Sequence, residues 1–175
     1  VNTMYTLEPS ANSAYYLYVL YSGRNEYDKA VKYLEEAIAS EETDALTDAD
    51  YYYRLARYCV NADKAKAYSA AQKAMELDPS LSGKAYMIMG TIWGSTVCSG
   101  NEIERRAPYW VAVDFLVKAR NADPELAEEA NNFIRQYSSY FPKTADAFMY
   151  DIIDGQSYTV SCGGLRATTT VRTQN

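Results

Sequence analysis

The sequence predicts an all-α superhelical array of three helix pairs and a capping helix, ending in a small β-hairpin. Three observations carry this reading. An alanine-spaced helical pattern recurs in YDKAVKYLEEAIASEE (27–42), KAKAYSAAQKAMELDPS (64–80) and YWVAVDFLVKARNADPE (109–125), and the last two stretches close on Asp-Pro. Within them apolar residues return at three- and four-residue steps, which lines one face of a helix. Beyond Phe141-Pro142 the period drops to two, in SYTVSC (157–162) and ATTTVRT (167–173) around Gly163-Gly164. A single helix pair cannot bury its own apolar face, so such units stack and present a shared surface to a ligand.

The elements follow in order. Residues 1–10 form an N-terminal extension, and 11–22 a first helix that ends in the turn-forming cluster Ser22-Gly23-Arg24-Asn25. Its partner, 26–40, buries Tyr27, Ala30, Val31, Leu34, Ala37 and Ile38. After the loop EETDALT (41–47), Thr47 or Asp48 caps a helix over 48–60 by accepting a backbone N–H of its first turn. Asn61-Ala62-Asp63 breaks it, and 64–77 returns antiparallel. Asp78-Pro79 then starts 80–93, since Asp caps and Pro at the first helical position gives up an N–H that has no partner there. GSTVCSGNEIERRA (94–107) reads as an inserted loop, and Pro108 opens 108–122. Asp123-Pro124 repeats the stop and start before a capping helix over 125–140, with Leu126, Ala127, Ala130, Phe133, Ile134 and Tyr137 on its apolar face. The array therefore covers 11–140. Residues 141–175 make a C-terminal capping segment, with a short helix or turn at 144–152 and the hairpin. The hairpin either covers the last helix's apolar face or offers an edge strand to a partner.

Composition narrows the function. With 175 residues the chain is long enough for a real core, and its net charge of −6 argues against a nucleic-acid partner, which needs clustered cations. No apolar run approaches the ~20 residues of a membrane span. Histidine is absent, which removes His-based triads, His-ligated zinc and His proton shuttles, so neither an enzyme nor a cofactor is expected. The acidic residues Glu35, Glu36, Glu41, Glu42, Asp44, Asp48 and Asp50 read as helix caps and a solvated face, with no metal-ligand spacing. Tyrosine is abundant instead, with 18 copies clustered in YYLYVLY (15–21) and YYYRLARY (51–58). Such rings fill core while their hydroxyls reach the wet edge, and some can line a groove.

The units resemble tetratricopeptide repeats, whose consensus places an aromatic, a Leu-Gly pair and a second aromatic in helix A, then Ala, Phe and Ala in helix B and a closing Pro. Tyr86, Met89-Gly90, Trp93, Ala112, Leu116, Ala119 and Pro124 match in the third unit. Tyr52, Leu55-Ala56, Cys59, Ala67 or Tyr68, Ala71, Ala74 and Pro79 match in the second, and Leu17-Tyr18, Tyr21, Ala30, Leu34 and Ala37 in the first. Tyr18 where Gly or Ala is usual, and the missing proline, mark unit one as divergent. The tail is also similar to the ends of uncharacterised extracytoplasmic tetratricopeptide proteins of bacteria. The resemblance implies a protein- or peptide-binding scaffold whose ligand lies along the helix A faces. Carried over residue by residue, the groove positions fall on Tyr15, Val19, Asp50, Tyr53, Arg54, Arg57, Lys84, Met87, Ile88 and Thr91, with Glu128, Asn131, Asn132 and Arg135 from the capping helix. Their chemistry suits a peptide that carries a carboxylate. Family members that clamp a C-terminal carboxylate use two Lys, two Asn and an Arg; here Tyr15 and Val19 replace two of them and only Lys84 matches. The other reading is a glycan-binding or glycan-uptake accessory protein of the cell envelope, in which exposed tyrosines stack on sugar rings.

The three cysteines divide. Cys59 falls at a core position and reads as a buried thiol. Cys98 and Cys162 lie in the insertion and at the hairpin turn; in an exported protein they can pair, and in a reducing cytoplasm they stay thiols. The opening VNTMYTLEPS lacks the basic and apolar regions of a signal peptide, so export implies one already removed. The extracytoplasmic likeness favours a periplasmic or secreted location. The apolar residues Val97, Cys98 and Ile103 predict that the insertion folds back toward the hairpin.

Overall fold

The computed structural model describes residues 10–175, so nearly all of the 1–10 extension lies outside the described residues. Helices α1 (Ala11–Gly23), α2 (Tyr27–Ala39), α3 (Ala45–Cys59), α4 (Lys64–Leu77), α5 (Ser82–Gly94), α6 (Glu102–Ala122), α7 (Ala127–Ser138) and α8 (Thr144–Met149) precede strands β1 (Ser157–Cys162) and β2 (Leu165–Thr170). Helices α1 with α2, α3 with α4 and α5 with α6 form tightly packed pairs, and α7 packs on α6.

Side-chain caps set most of the starts. Asp63 Oδ1 accepts the Lys66 N–H at 3.0 Å, and Asp78 and Asp123 each accept the N–H two residues on at 3.0 Å, opening 3-10 turns at Pro79–Leu81 and Pro124–Leu126. Helix α3 begins earlier than the sequence indicates. Its cap is Asp44, which accepts the Thr47 N–H at 2.8 Å, while the Asp48 carboxylate is taken by the Thr43 hydroxyl at 2.5 Å.

Small residues bring the paired helices together. Ala30, Ala37, Ala56, Ala67, Ala71, Ala74, Ala112 and Ala119 are fully enclosed, and a Cβ at Gly90 would meet Leu116 Cγ at 3.0 Å and the Ala112 carbonyl oxygen at 3.2 Å. Large residues interlock between them, led by Trp93, Trp110, Leu17, Leu34, Met89 and Leu116. Tyrosines fill the first two units: Tyr15 stacks on Tyr51 at 5.0 Å, Tyr27 on Tyr58 at 5.4 Å and Tyr21 on Tyr33 at 5.6 Å. The Cys59 thiol is buried against the Tyr27 hydroxyl. Burial, then that hydrogen bond, holds the hydroxyl well above its ordinary pKa, and burial pushes the thiol up. Between units two and three the buried Trp93 indole N–H donates to Tyr68 Oη at 3.1 Å. Tyr68→Phe should therefore cost about 1–3 kcal/mol by leaving that donor dry and unmade. Urea unfolding of the variant measures it, and a midpoint equal to wild type would show the bond contributes nothing.

The inserted loop is the main correction. Only Ser95–Asn101 is irregular; Glu102 already begins α6, and Pro108 lies inside that helix. The start is set by Asn101 and Glu104, which cap each other's backbone N–H at 2.9 and 3.2 Å, and Glu102 pairs with both Arg105 and Arg106. The Arg106 bond leads in holding the Glu102 carboxyl below its usual range. Proline in a helix interior costs about 3 kcal/mol. The burial of Ile103 and Ala107 on the added turns offsets much of it.

Gly163 and Gly164, with φ of 61° and 78°, form the two-residue turn that joins β1 to β2, with Ser157 opposite Thr170 and Cys162 opposite Leu165. The hairpin packs on α6 and not on the capping helix α7. Trp110 of α6 meets Tyr158 edge-on at 5.4 Å and donates its indole N–H to the Arg172 carbonyl at 2.7 Å. Arg172 Nη2 in turn donates to Asp114 Oδ1 at 2.7 Å and to the Trp110 carbonyl at 2.8 Å. A Cys98–Cys162 disulfide, with Cα atoms 5.7 Å apart, ties the 95–101 loop to the end of β1. Ile103 and Cys98 are buried there, whereas Val97 is left in water.

Candidate functional site

Helices α3, α5 and α7 each present one face to a cleft of about 380 Å³, lined by Tyr53, Arg57, Lys84, Met87, Ile88, Thr91, Leu126, Glu129 and Phe133. The spacing of these residues along each helix is that of a single stripe, four apart in α3 and three or four apart in α5. Arg57 and Lys84 both lie over the Tyr53 ring, at 5.7 Å each from its centroid. Neither cation forms an ion pair among the described residues. The floor is apolar, made by Met87, Ile88, Leu126 and Phe133, and Phe133 is backed by Tyr137 at 5.8 Å. Thr91 donates its hydroxyl proton to the Ile88 carbonyl at 3.0 Å. An anion entering here would meet two cations that form no ion pair among the described residues, beside an apolar wall and a single carboxylate, Glu129.

The sequence-predicted residues divide into three groups. Tyr53, Arg57, Lys84, Met87 and Thr91 line the cleft. Tyr15, Asp50 and Arg54 form a neighbouring cluster on α1 and α3 in which Arg54 Nε donates to Asp50 Oδ2 at 2.8 Å and its guanidinium lies 5.6 Å from the Tyr15 ring centroid. That pairing internally neutralises the cluster. Asn132 and Arg135 line no part of the cleft; they hydrogen-bond each other in solvent, and Asn131 Oδ1 accepts from Arg120 of α6 at 2.8 Å. The stripe that faces the cleft is instead Leu126, Glu129 and Phe133. The Asp-Pro signal could have found it: counting from Pro124 as α5 counts from Pro79 puts Glu129 opposite Lys84 and Phe133 opposite Ile88.

Larger hollows include two of about 750 and 800 Å³ beside α2 and α4 and one of about 610 Å³ between α6 and the hairpin. Lys66, which lines both of the first two, is paired with Glu35 at 2.5 Å, and Arg172 of the third with Asp114 at 2.7 Å, so these cations are less available to a ligand than Arg57 and Lys84 are. The tyrosines at groove positions, Tyr15 and Tyr53, are half-buried and engaged by cations, not open as flat platforms. No group of His, Cys, Asp and Glu among the described residues could hold a metal ion, and no described helix is long and apolar enough to cross a membrane.

Stacked helix pairs with a cleft on the helix A side make a tetratricopeptide-like α-α superhelical fold. No model of a known protein family matches the chain, and no curated protein sequence does. Among solved structures it is similar to the TPR2B domain of yeast Sti1 in its complex with pHsp70, at a TM-score of 0.56 and 23% identity over 74% of this chain and 96% of that one. At that identity the likeness is one of fold.

Proposed function

We propose that the protein is a non-catalytic scaffold that holds a peptide segment of a partner protein across α3, α5 and α7. Arg57 and Lys84 receive a carboxylate of that segment, and Ile88, Leu126 and Phe133 take an adjacent apolar side chain. The observation that carries this reading is the pair of cations over one tyrosine ring, in no ion pair among the described residues and outnumbering the one carboxylate, Glu129, that shares their largely apolar cleft. The fold's similarity to a domain in complex with pHsp70 supports a peptide ligand. The Cys98–Cys162 bridge supports an oxidising compartment such as a periplasm or the cell exterior.

A peptide array and a glycan array on the purified chain test the proposal together. Peptides with an acidic residue beside a large apolar one should bind, and binding should weaken with salt. Charge-assisted hydrogen bonds contribute about 1.5–3 kcal/mol each, so Arg57→Glu with Lys84→Glu should weaken the best peptide by roughly 100-fold or more. Both side chains are exposed, so the fold should survive. Retained affinity in that double variant, or glycan hits without peptide hits, would overturn the reading.

A further inference from the structure

Residues 146–154, DAFMYDIID, place four large apolar side chains in water within six residues: Phe148 is 73% exposed, Met149 78%, Tyr150 44% and Ile153 64%. Single exposed apolar residues are ordinary, but a cluster like this marks a surface that another molecule covers. The backbone here is fixed. Tyr150 and Ile152 N–H both donate to the Ala147 carbonyl at 3.0 Å, and Asp151 N–H donates to Phe148 at 3.1 Å with Asp151 at a φ of 57°. Buried Ala147 and half-buried Ile152 root the segment in the core, and Asp154 holds the Thr173 N–H at 2.8 Å. The result is a knuckle that projects its apolar side chains.

The same stretch carries three carboxylates, Asp146, Asp151 and Asp154, the last held by Thr173, against one cation, Lys143, at the far end of α8. That charge repels an anionic lipid surface, and two knuckles facing each other would set carboxylates against carboxylates. A surface of this same molecule that carries the opposite net charge beside apolar residues is the cleft of Arg57, Lys84, Ile88 and Phe133, where two cations face one carboxylate, Glu129. We propose that the knuckle of one copy docks into the α3–α5–α7 cleft of a second, so that the chain self-associates head to tail. Such a contact is heterologous: each copy keeps one free knuckle and one free cleft, and the assembly grows with concentration instead of closing as a dimer. With one knuckle as its anchor the interface is small, so the association is weak and reversible. This inference rests on the reading of the cleft as a peptide site.

Sedimentation velocity on the full chain, from low micromolar to several hundred micromolar, should show the average mass rising without a plateau at the dimer, and less so in high salt. A knuckle variant (Phe148→Ser with Ile153→Ser) and a cleft variant (Arg57→Glu with Lys84→Glu) change only exposed side chains, and each should weaken association at least about tenfold. Mixed together, they should form one-to-one pairs and nothing larger, because one intact cleft and one intact knuckle remain. A wild type that stays monomeric, or a cleft variant that associates as wild type does, overturns the proposal. The knuckle variant also goes onto the peptide array: if it binds there while the wild type stays monomeric, only self-association fails, and if neither binds, the cleft reading fails too.

Discussion

Cys98→Ser should lower the melting temperature of the C-terminal part of the protein by roughly 10 °C, and reductant should do the same to the wild type. The bridge joins residues 64 apart in sequence. Closing a loop of that length in the unfolded chain removes about 4 kcal/mol of conformational entropy at 25 °C. In a chain of this size each kcal/mol moves the midpoint by about 2–4 °C. A stack of repeats contacts mainly its neighbours and need not melt as one unit, so the loss should be local. Amide exchange should accelerate in β1, β2 and residues 95–101 while α1 to α4 keep their protection. The hairpin should loosen without leaving α6, because Arg172 still holds Asp114 and the Trp110 carbonyl. Cys59 should resist alkylation in the folded, reduced protein, since its thiol is buried. Unchanged melting and unchanged hairpin exchange under reductant would mean that the packing alone sets this unit's stability.

The helical array was legible because its signals are local and repeated: alanines at helical spacing, Asp-Pro boundaries, and an abrupt change to a period of two at the hairpin. The start of α6 was misread through one residue. Proline is common in a helix's first turn, yet Pro108 sits inside the helix, and the competing signal is the Asn101-to-Glu104 capping pair that begins seven residues before it. Burial of Ile103 and Trp110 decides between them, and burial is a tertiary fact. The cleft was half legible for a related reason. On α3 and α5 the consensus fixes the rotation of the helix, so Tyr53, Arg57, Lys84 and Met87 fall where the repeat pattern places them. Helix α7 has no partner helix to complete a consensus, and a shift of one residue, about 100° around the axis, moved Asn132 and Arg135 in and Glu129 and Phe133 out. The contact of the hairpin with α6 instead of α7 was not encoded in any local pattern. It depends on Trp110, Asp114 and Arg172 meeting across some 60 residues of chain, as Trp110 and Arg172 do at a separation of 62.

Gly94→Ala should be strongly disruptive, costing about 3 kcal/mol and weakening peptide binding at the cleft. The last residue of α5 carries the ring of Tyr137 from α7 directly on its backbone: a Cβ there would come within 2.6 Å of both Cε1 and Oη of that ring. The ring has nowhere to go. Phe133 stacks on one neighbour position at 5.8 Å and Tyr109 on another at 5.8 Å, and Tyr137 is buried. Overpacking of this kind costs about 1–3 kcal/mol when a side chain can shift, and sits at the upper end when a helix must move with it. Helix α7 and the 3-10 turn that leads into it supply Glu129, Phe133 and Leu126 to the cleft, so its displacement should carry a binding defect that an equally destabilising change elsewhere would not. Gly23→Ala is the control, because nothing lies within 4 Å of the Cβ it adds and its φ is not positive. It should leave binding unchanged and stability equal or slightly higher, by up to about 1 kcal/mol. Adding Tyr137→Ala to Gly94→Ala makes the argument specific. If the methyl acts through that ring, the double variant should lose less stability than the sum of the two single losses, by about 1–2 kcal/mol. Strict additivity, or a Gly94→Ala protein that melts and binds as wild type does, would show that α7 is not seated on α5 through this contact.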